Sequence, residues 1–222
     1  MSHFLSQAFL VALPTLRDAL GINAIQIGAL ISARELAGGL VSLPGGILCD
    51  RARRLGLILA ATMASFGVGW LVVGLAPTYA WLVLGMMIVA ISGSLWHLPA
   101  MTALSQAFTG KRGMALSIHG VGGNVGDVIG PVATGFLLTY LSWRGLLSAY
   151  SVFPIILAAV VLWAFRDRSL SQSSQARQMT VKLQLRASLS LLKDGALMRL
   201  NIIAGLRSMC YQVYNTFLPL YM

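Results

Sequence analysis

The sequence predicts an all-α integral membrane protein: six transmembrane helices followed by a seventh, partial one. Three observations predict it. Hydrophobic residues fill 57% of the 222 positions and charged residues only 10%, against about 45–50% apolar and about 25% charged in an ordinary soluble domain. The charges that exist delimit uncharged runs of the length a bilayer core demands, about 20 residues per helix. The basic residues collect in every second loop. This composition excludes a disordered chain, a coiled coil and a nucleic-acid-binding domain, and it argues against a soluble enzyme. The net charge of +10 reflects a shortage of acids, 6 Asp+Glu against 16 Lys+Arg, rather than a basic surface.

The segments follow in order. Residues 3–16 form a short apolar stretch ending at Arg17. Residues 25–48 are apolar except for Arg34 and Glu35. No charge occurs from Leu55 to Gly110, which is two spans, 55–76 and 79–106, broken at Ala76-Pro77-Thr78. Segment 113–141 holds one charge, Asp127, and segment 145–165 none. Segment 199–222 ends at the chain terminus without a flank, which reads as a chain cut short. Barrel strands are excluded, because they would be about ten residues long and alternate polar with apolar. The N-terminus does not read as a secretory signal, since no basic residue precedes its apolar run. The domain reading is therefore 1–166, a six-helix bundle; 167–198, a central loop; and 199–222, the first helix of a second half.

Twelve of the sixteen bases fall in the loops after the second, fourth and sixth segments, from Arg51, Arg53 and Arg54 through Lys111 and Arg112 to Arg199. Only Arg17 and Arg144 fall on the other side. By the positive-inside rule the basic loops are cytoplasmic, in a plasma or inner membrane. In the central loop, 169–175 reads as a flexible linker. After it Val181, Leu185, Leu189 and Leu192 recur at helical spacing among Lys182, Arg186 and Lys193, the pattern of a cationic helix on the inner membrane surface.

Cys49 and Cys210 are too few and too far apart for a disulfide framework, and read as reduced thiols packed as small hydrophobes. No metal spacing, nucleophile–base pair or phosphate loop occurs, so neither a metal nor a cofactor is expected.

The loop Gly46-Ile47-Leu48-Cys49-Asp50-Arg51-Ala52-Arg53-Arg54 joins a helix end to a charge cluster. Asp50 there can pair with a base or face a helix N-terminus, forming a latch in one conformation that breaks in another. This loop resembles the major facilitator superfamily signature G-x-L-A-D-R-x-G-R-R. Gly46, Leu48, Asp50, Arg51 and Arg54 match, while Cys49 and Arg53 replace its alanine and glycine. Gly122, Gly126 and Gly130, spaced by four, predict a close-packing stripe on the fifth helix, with a kink at Pro131. Gly126-x-x-x-Gly130-Pro131-x-x-x-Gly135 is similar to the fifth-helix motif of antiporters in that superfamily, with Ser117 and Thr134 where the fuller motif has glycine. Trp96-His97-Leu98-Pro99, Arg112 to Leu116, His119 to Gly126 and Ser142-Trp143-Arg144 resemble the fosmidomycin-resistance-type exporters, with Leu98 inserted before the proline. The resemblance implies the first half of a twelve-helix fold around a central cavity.

An internal signal stands beside the resemblance. Leu13-Pro14, Leu98-Pro99 and Leu218-Pro219 recur in the first, fourth and seventh segments, and aligning the first and last pairs Gln7 with Gln212. Proline-broken helices of a parallel repeat would flank a midplane site.

Ionisable residues inside a bilayer are expensive and mark function. Glu35 and Asp127 are the carboxylates that could carry a proton, with His97 and His119 as further candidates. Arg34 and Glu35 stand about 100° apart on a helix, so they are not expected to neutralise each other. Gln7, Arg34, Trp96, Asn124, Arg207, Tyr211, Gln212, Tyr214 and Asn215 are candidate cavity residues. Buried arginines with histidines favour an anionic solute. The expected function is secondary transport by alternating access, as proton-coupled export of a small solute. The alternatives are an uptake symporter or uniporter for a small organic anion and, from another class, a non-transporting scaffold or sensor. The expected partners are the lipid bilayer, a small-molecule substrate, protons and the other half of the same protein, with no nucleic acid.

Overall fold

The computed structural model describes residues 1–51, 54–165 and 180–220, leaving out the side chain of Asp50. Among them all regular structure is helical. Helix α1 spans Ser2–Leu20, α2 Ala24–Arg51, α3 Leu55–Gly74, α4 Tyr79–Ala107 and α5 Arg112–Leu138. They are followed by α6 Trp143–Tyr150, α7 Val152–Ala164, α8 Val181–Ser190 and α9 Gly195–Phe217. Five spans among the described residues are long and apolar enough to cross a membrane: α2, α3, α4, α5 and the α6–α7 pair. The linker at 169–175 and the bases Arg53, Arg166, Arg168 and Arg177 lie outside the described residues.

The helix ends follow local chemistry. Gly21 closes α1 with a left-handed φ of 62° and returns its N–H to the Arg17 carbonyl, a conformation open to glycine at no steric cost. Two residues later Asn23 and Gln26 form a reciprocal capping box: each side-chain oxygen accepts from the other's backbone N–H at 2.9 Å, starting α2. The sixth segment is not one helix, as expected, but two meeting at Ser151. Pro154 explains the break, because it offers no N–H to the Tyr150 carbonyl and its ring crowds that oxygen. By contrast α1 and α4 run unbroken through Pro14 and Pro99, and α5 through Pro131. The expectation of proline-broken helices fails for Pro14 and Pro99. Of the three Leu-Pro prolines only Pro219 stands at a helix end, in the 3₁₀ turn Leu218–Leu220 that terminates α9.

The core lies where α1 meets α3, α4 and α6. Leu5, Phe9, Leu13 and Leu16 of α1 are buried against Trp70 and Val73 of α3, Met86 and Val89 of α4, and Leu146 and Leu147 of α6. Phe9 and Phe66 each hold a ring centroid 6.2 Å from that of Trp70. Glycines set the helix spacing. A Cβ on Gly69 or Gly85 would press on the α4 or α3 backbone at 2.9 Å, and one on Gly74 on the Ser148 backbone at 2.7 Å. Without side chains there, α3 is gripped by α4 on one side and by α6–α7 on the other.

The turns at one end are laced together. Ser142 caps α6 by accepting from the Gly145 N–H. Arg144 donates to the Ala76 carbonyl in the α3–α4 turn and lies over the Trp143 ring, 4.3 Å from its centroid. Tyr79 donates to the Gln26 carbonyl at 2.9 Å. Arg17 and Arg144 thus share this end, while Arg51, Arg54, Lys111 and Arg112 stand at the other. Large apolar side chains point outward along the bundle, among them Leu40, Val132, Phe136 and Trp163. That is the surface a hydrocarbon environment rewards and water penalises. Helix α8 forms where predicted, with Gln184 buried and the stripe Val181, Leu185, Leu189 and Leu192 exposed. Cys49 is buried, but Cys210 is exposed on α9, against the expectation that both thiols pack inside.

Candidate functional site: a polar cavity between α1, α2, α4, α5 and α9

The polar side of α1 begins the site. Ser2, His3, Ser6 and Gln7 fall on one stripe, because residues three and four apart share a helix face, and all four line a cavity of about 550 Å³. The opposite stripe of α1 is the apolar core face. Helix α2 adds Arg34, Glu35, Gly38, Gly39 and Ser42, again at helical spacing. Helix α4 adds Ser94 and His97, α5 adds Asp127, and α9 adds Tyr211, Gln212 and Asn215.

Asp127 reaches the cavity through the glycines beside it. A Cβ on Gly126 would meet the Phe4 backbone nitrogen at 3.0 Å, and one on Gly130 the Phe4 carbonyl oxygen at 2.8 Å. The missing side chains let α5 lie directly on α1. His3 Nδ1 then stands 2.9 Å from Asp127 Oδ2, and Gln7 Nε2 donates to Oδ1 at 3.3 Å. With His3 protonated this is an ion pair; with His3 neutral it is a hydrogen bond from the Nδ1–H tautomer. His97 and His119 stack edge to face, with ring centroids 6.3 Å apart.

Arg34 is the cation of the cavity. Its Nη2 donates to Ser6 Oγ at 3.3 Å, and its Nη1 stands 3.5 Å from Glu35 Oε1. Its Nε is buried without a hydrogen-bond partner. Against the expectation that Arg34 and Glu35 do not neutralise each other, they form an ion pair: long side chains close the roughly 100° that separates their Cα–Cβ bonds. The pair is loose, because the Glu35 side chain remains 58% exposed.

The structure brings together Gln7, Arg34, Glu35, His97, Asp127, Tyr211, Gln212 and Asn215. His119 stands behind His97 and does not line the cavity. Four expected cavity residues are elsewhere. Asn124 is exposed, one position off the Gly123–Asp127 face of α5. Trp96 is half-buried outside the cavity on α4, and Arg207 and Tyr214 are exposed on other faces of α9. The packing stripe is also shifted. Gly122 and Gly135 meet nothing within 4 Å, and the seam is instead Gly123, Gly126, Gly130 and Thr134. At about 100° per residue, Gly123, Gly130 and Thr134 fall on one side of Gly126 and Gly122 about 40° on the other, so Gly122 alone of the expected stripe leaves the contact. In the signature loop, Gly45 rather than Gly46 faces α4, where its Cβ would strike the Leu95 side chain. Arg51 and Arg54 are exposed, and the Asp50 carboxylate lies outside the described residues. His3 and Ser6 were missed, although their spacing with Gln7 on the first segment was there to find. No group of three His, Cys, Asp or Glu residues that could hold a metal occurs among the described residues.

A polar, charge-bearing cavity among long apolar spans marks a multi-pass membrane protein. The family model "Major Facilitator Superfamily" matches residues 1–222, and the chain belongs to that family. It is 30% identical over 156 residues to the uncharacterized MFS-type transporter YhcA of Bacillus subtilis, covering 70% of this chain and 29% of the relative. It is 31% identical over 153 residues to the puromycin resistance protein pur8 of Streptomyces alboniger, covering 68% and 30%. With the fosmidomycin resistance protein of Escherichia coli the identity is 26% over 166 residues, covering 73% and 40%. The chain therefore spans about a third of the length of the curated relatives it matches.

Proposed function

We propose that the protein is a proton-coupled exporter that moves a small solute by antiport, using the polar cavity as its alternating-access site. The observation that carries the reading is the His3–Asp127–Gln7 cluster, a carboxylate held between two helices inside a solute-sized cavity. Asp127 and Glu35 are the proton carriers in this reading, with His97 and His119 as a titratable pair beside them. The resistance proteins among the relatives support export. The basic end is placed in the cytoplasm of a plasma or inner membrane, with Asp50, Arg51 and Arg54 as the latch. Residues 1–166 act as one bundle, 167–198 as a cytoplasmic connection and 199–222 as the start of a second half. A second wall for the cavity comes from further chain or from a second copy.

Inverted vesicles energised to an acid interior test this reading. Fosmidomycin or puromycin, the solutes named for the relatives, should release protons outward with the unmodified protein and not with Asp127→Asn. A variant that still drives proton release removes Asp127 from coupling. No solute-dependent proton movement from any probe favours a scaffold or sensor.

One observation favours uptake by symport instead. Arg34 is paired with Glu35, so an anion that takes the guanidinium leaves a carboxylate without its cation. One proton per anion then restores the charge balance, which binds proton and solute together rather than in exchange. Alkalinisation outside right-side-out vesicles when an organic anion is added would support this second reading.

A further inference from the structure

We infer that the cavity is a binding site for a small hydroxyl-rich anion, a polyol bearing a carboxylate or phosphate, with Arg34 holding the anionic group. This deepens the transport reading of the same cavity and rests on it, but holds for either direction of transport.

Arg34 is a half-buried cation, its side chain 18% exposed, with too few acceptors and its Nε fully enclosed. A guanidinium carries five N–H donors in a planar fork. Here one reaches Ser6 at 3.3 Å, one faces Glu35 at a loose 3.5 Å, and the Nε–H has no partner. Leaving donors of a charged group unsatisfied away from water is costly. A carboxylate or phosphate fits the fork bidentately and supplies the missing acceptors. The cavity's other acid does not compete, because both Asp127 oxygens are engaged, by His3 and by Gln7. Glu35 is the only carboxylate that must yield, and it is already more than half exposed.

The remaining lining selects the body of the ligand. Ser42 and Asn215 spend donors on carbonyls of their own helices, and Gln212 spends one on Thr216. Ser42 keeps its oxygen lone pairs, and Asn215 and Gln212 each keep an amide oxygen and one N–H, groups that match the accepting and donating sides of ligand hydroxyls. Ser94 and Tyr211 add hydroxyls of their own. An apolar cation or a greasy drug would strip these groups of water and return no hydrogen bonds. A volume of about 550 Å³ lies inside the usual range for small-molecule sites, about 300–1,000 Å³.

Calorimetry on the full chain in lipid nanodiscs tests the assignment, with gluconate, glucose 6-phosphate, neutral sorbitol and tetraphenylphosphonium as probes. At least one of the two anions should bind about tenfold or more tighter than sorbitol. Arg34→Gln should weaken that anion by about tenfold, Glu35→Gln should strengthen it by about threefold, and Arg17→Gln at the far end of α1 should leave it unchanged. Opposite shifts from neighbouring residues are not what misfolding produces, and Glu35→Gln carries the test if Arg34→Gln fails to fold. Sorbitol or tetraphenylphosphonium binding as tightly as the anions, no binding by any probe, or a Glu35→Gln variant that weakens the anion overturns the inference. Gluconate binding without solute-dependent proton flux would sink the transport reading and leave the site. Flux of a solute that neither anion displaces would sink the site and leave transport.

Discussion

Two walls of the cavity are built differently. The α1–α5 wall is clamped: backbone meets backbone at Gly126 and Gly130, the His3–Asp127 contact crosses it at 2.9 Å, and α1 backs onto the aromatic core around Trp70. The α9 wall presents Tyr211, Gln212 and Asn215 to the same cavity, yet only Thr216 of its helix is buried. Its outer side chains, Ile202, Ile203, Leu206 and Met209, stand exposed. The His3–Asp127 pair therefore sits on the wall that packing holds in place, and neutral hydrogen-bonding groups sit on the wall that packing holds weakly. Preorganised charge needs a rigid support, whereas amides and hydroxyls tolerate displacement.

The comparison can be broken most forcefully at the core behind the clamped wall. Trp70→Ala should lower unfolding stability by roughly 4 kcal/mol, as large aromatic truncations do, while Ile203→Ala on α9 should change it by less than about 0.5 kcal/mol. Denaturant titration of the purified protein reads both. Equal losses would show that α9 is packed as tightly as α1.

The seam itself comes next. Gly130→Leu should cost roughly 2–3 kcal/mol, because its Cβ alone stands 2.8 Å from the Phe4 carbonyl oxygen. Gly135→Leu, one turn further along an open face, should be close to neutral. A thermal melt that ranks them the other way would place the contact face of α5 on Gly135 rather than on Gly130.

Smaller still is the polar crossing. A double-mutant cycle with His3→Ala and Asp127→Asn should give a coupling of about 1 kcal/mol in stability. A coupling near zero would leave the glycines as the whole of the clamp. The smallest effect is expected at Asn215→Ala, within about 0.5 kcal/mol of stability, with any loss confined to ligand affinity.

Much of this was legible in the sequence. Charge-free runs and the Ala76-Pro77-Thr78 break located the spans to within a few residues, because desolvated backbone inside a bilayer must be helical and charge is excluded from it. The α6–α7 break was missed, since a run with no charge hides a proline's effect on hydrogen bonding. Glu35, Arg34, Asp127 and His97 stand out in the sequence on cost alone, because ionisable groups inside a bilayer are rare, and all four line the cavity. His3 stands at the edge of a short segment, yet the helical period that pairs it with Gln7 is visible in the sequence. Trp96, Asn124, Arg207 and Tyr214 fall outside this cavity for one reason: polarity marks a residue as unusual but does not say which way its helix is turned.

The sequence by itself determined the class, the approximate limits of the spans, the family and the short set of charges worth suspecting. Each depends on composition and one-dimensional spacing. Only the tertiary structure decided which face of each helix looks inward, that Gly123, Gly126, Gly130 and Thr134 form the seam, that Asp127 belongs with His3, and that Arg34 keeps an unpartnered Nε beside Glu35. Helix rotation is set by side chains on neighbouring helices a hundred residues away. In a bundle that is apolar on every side, the local pattern is nearly uniform and carries little record of it.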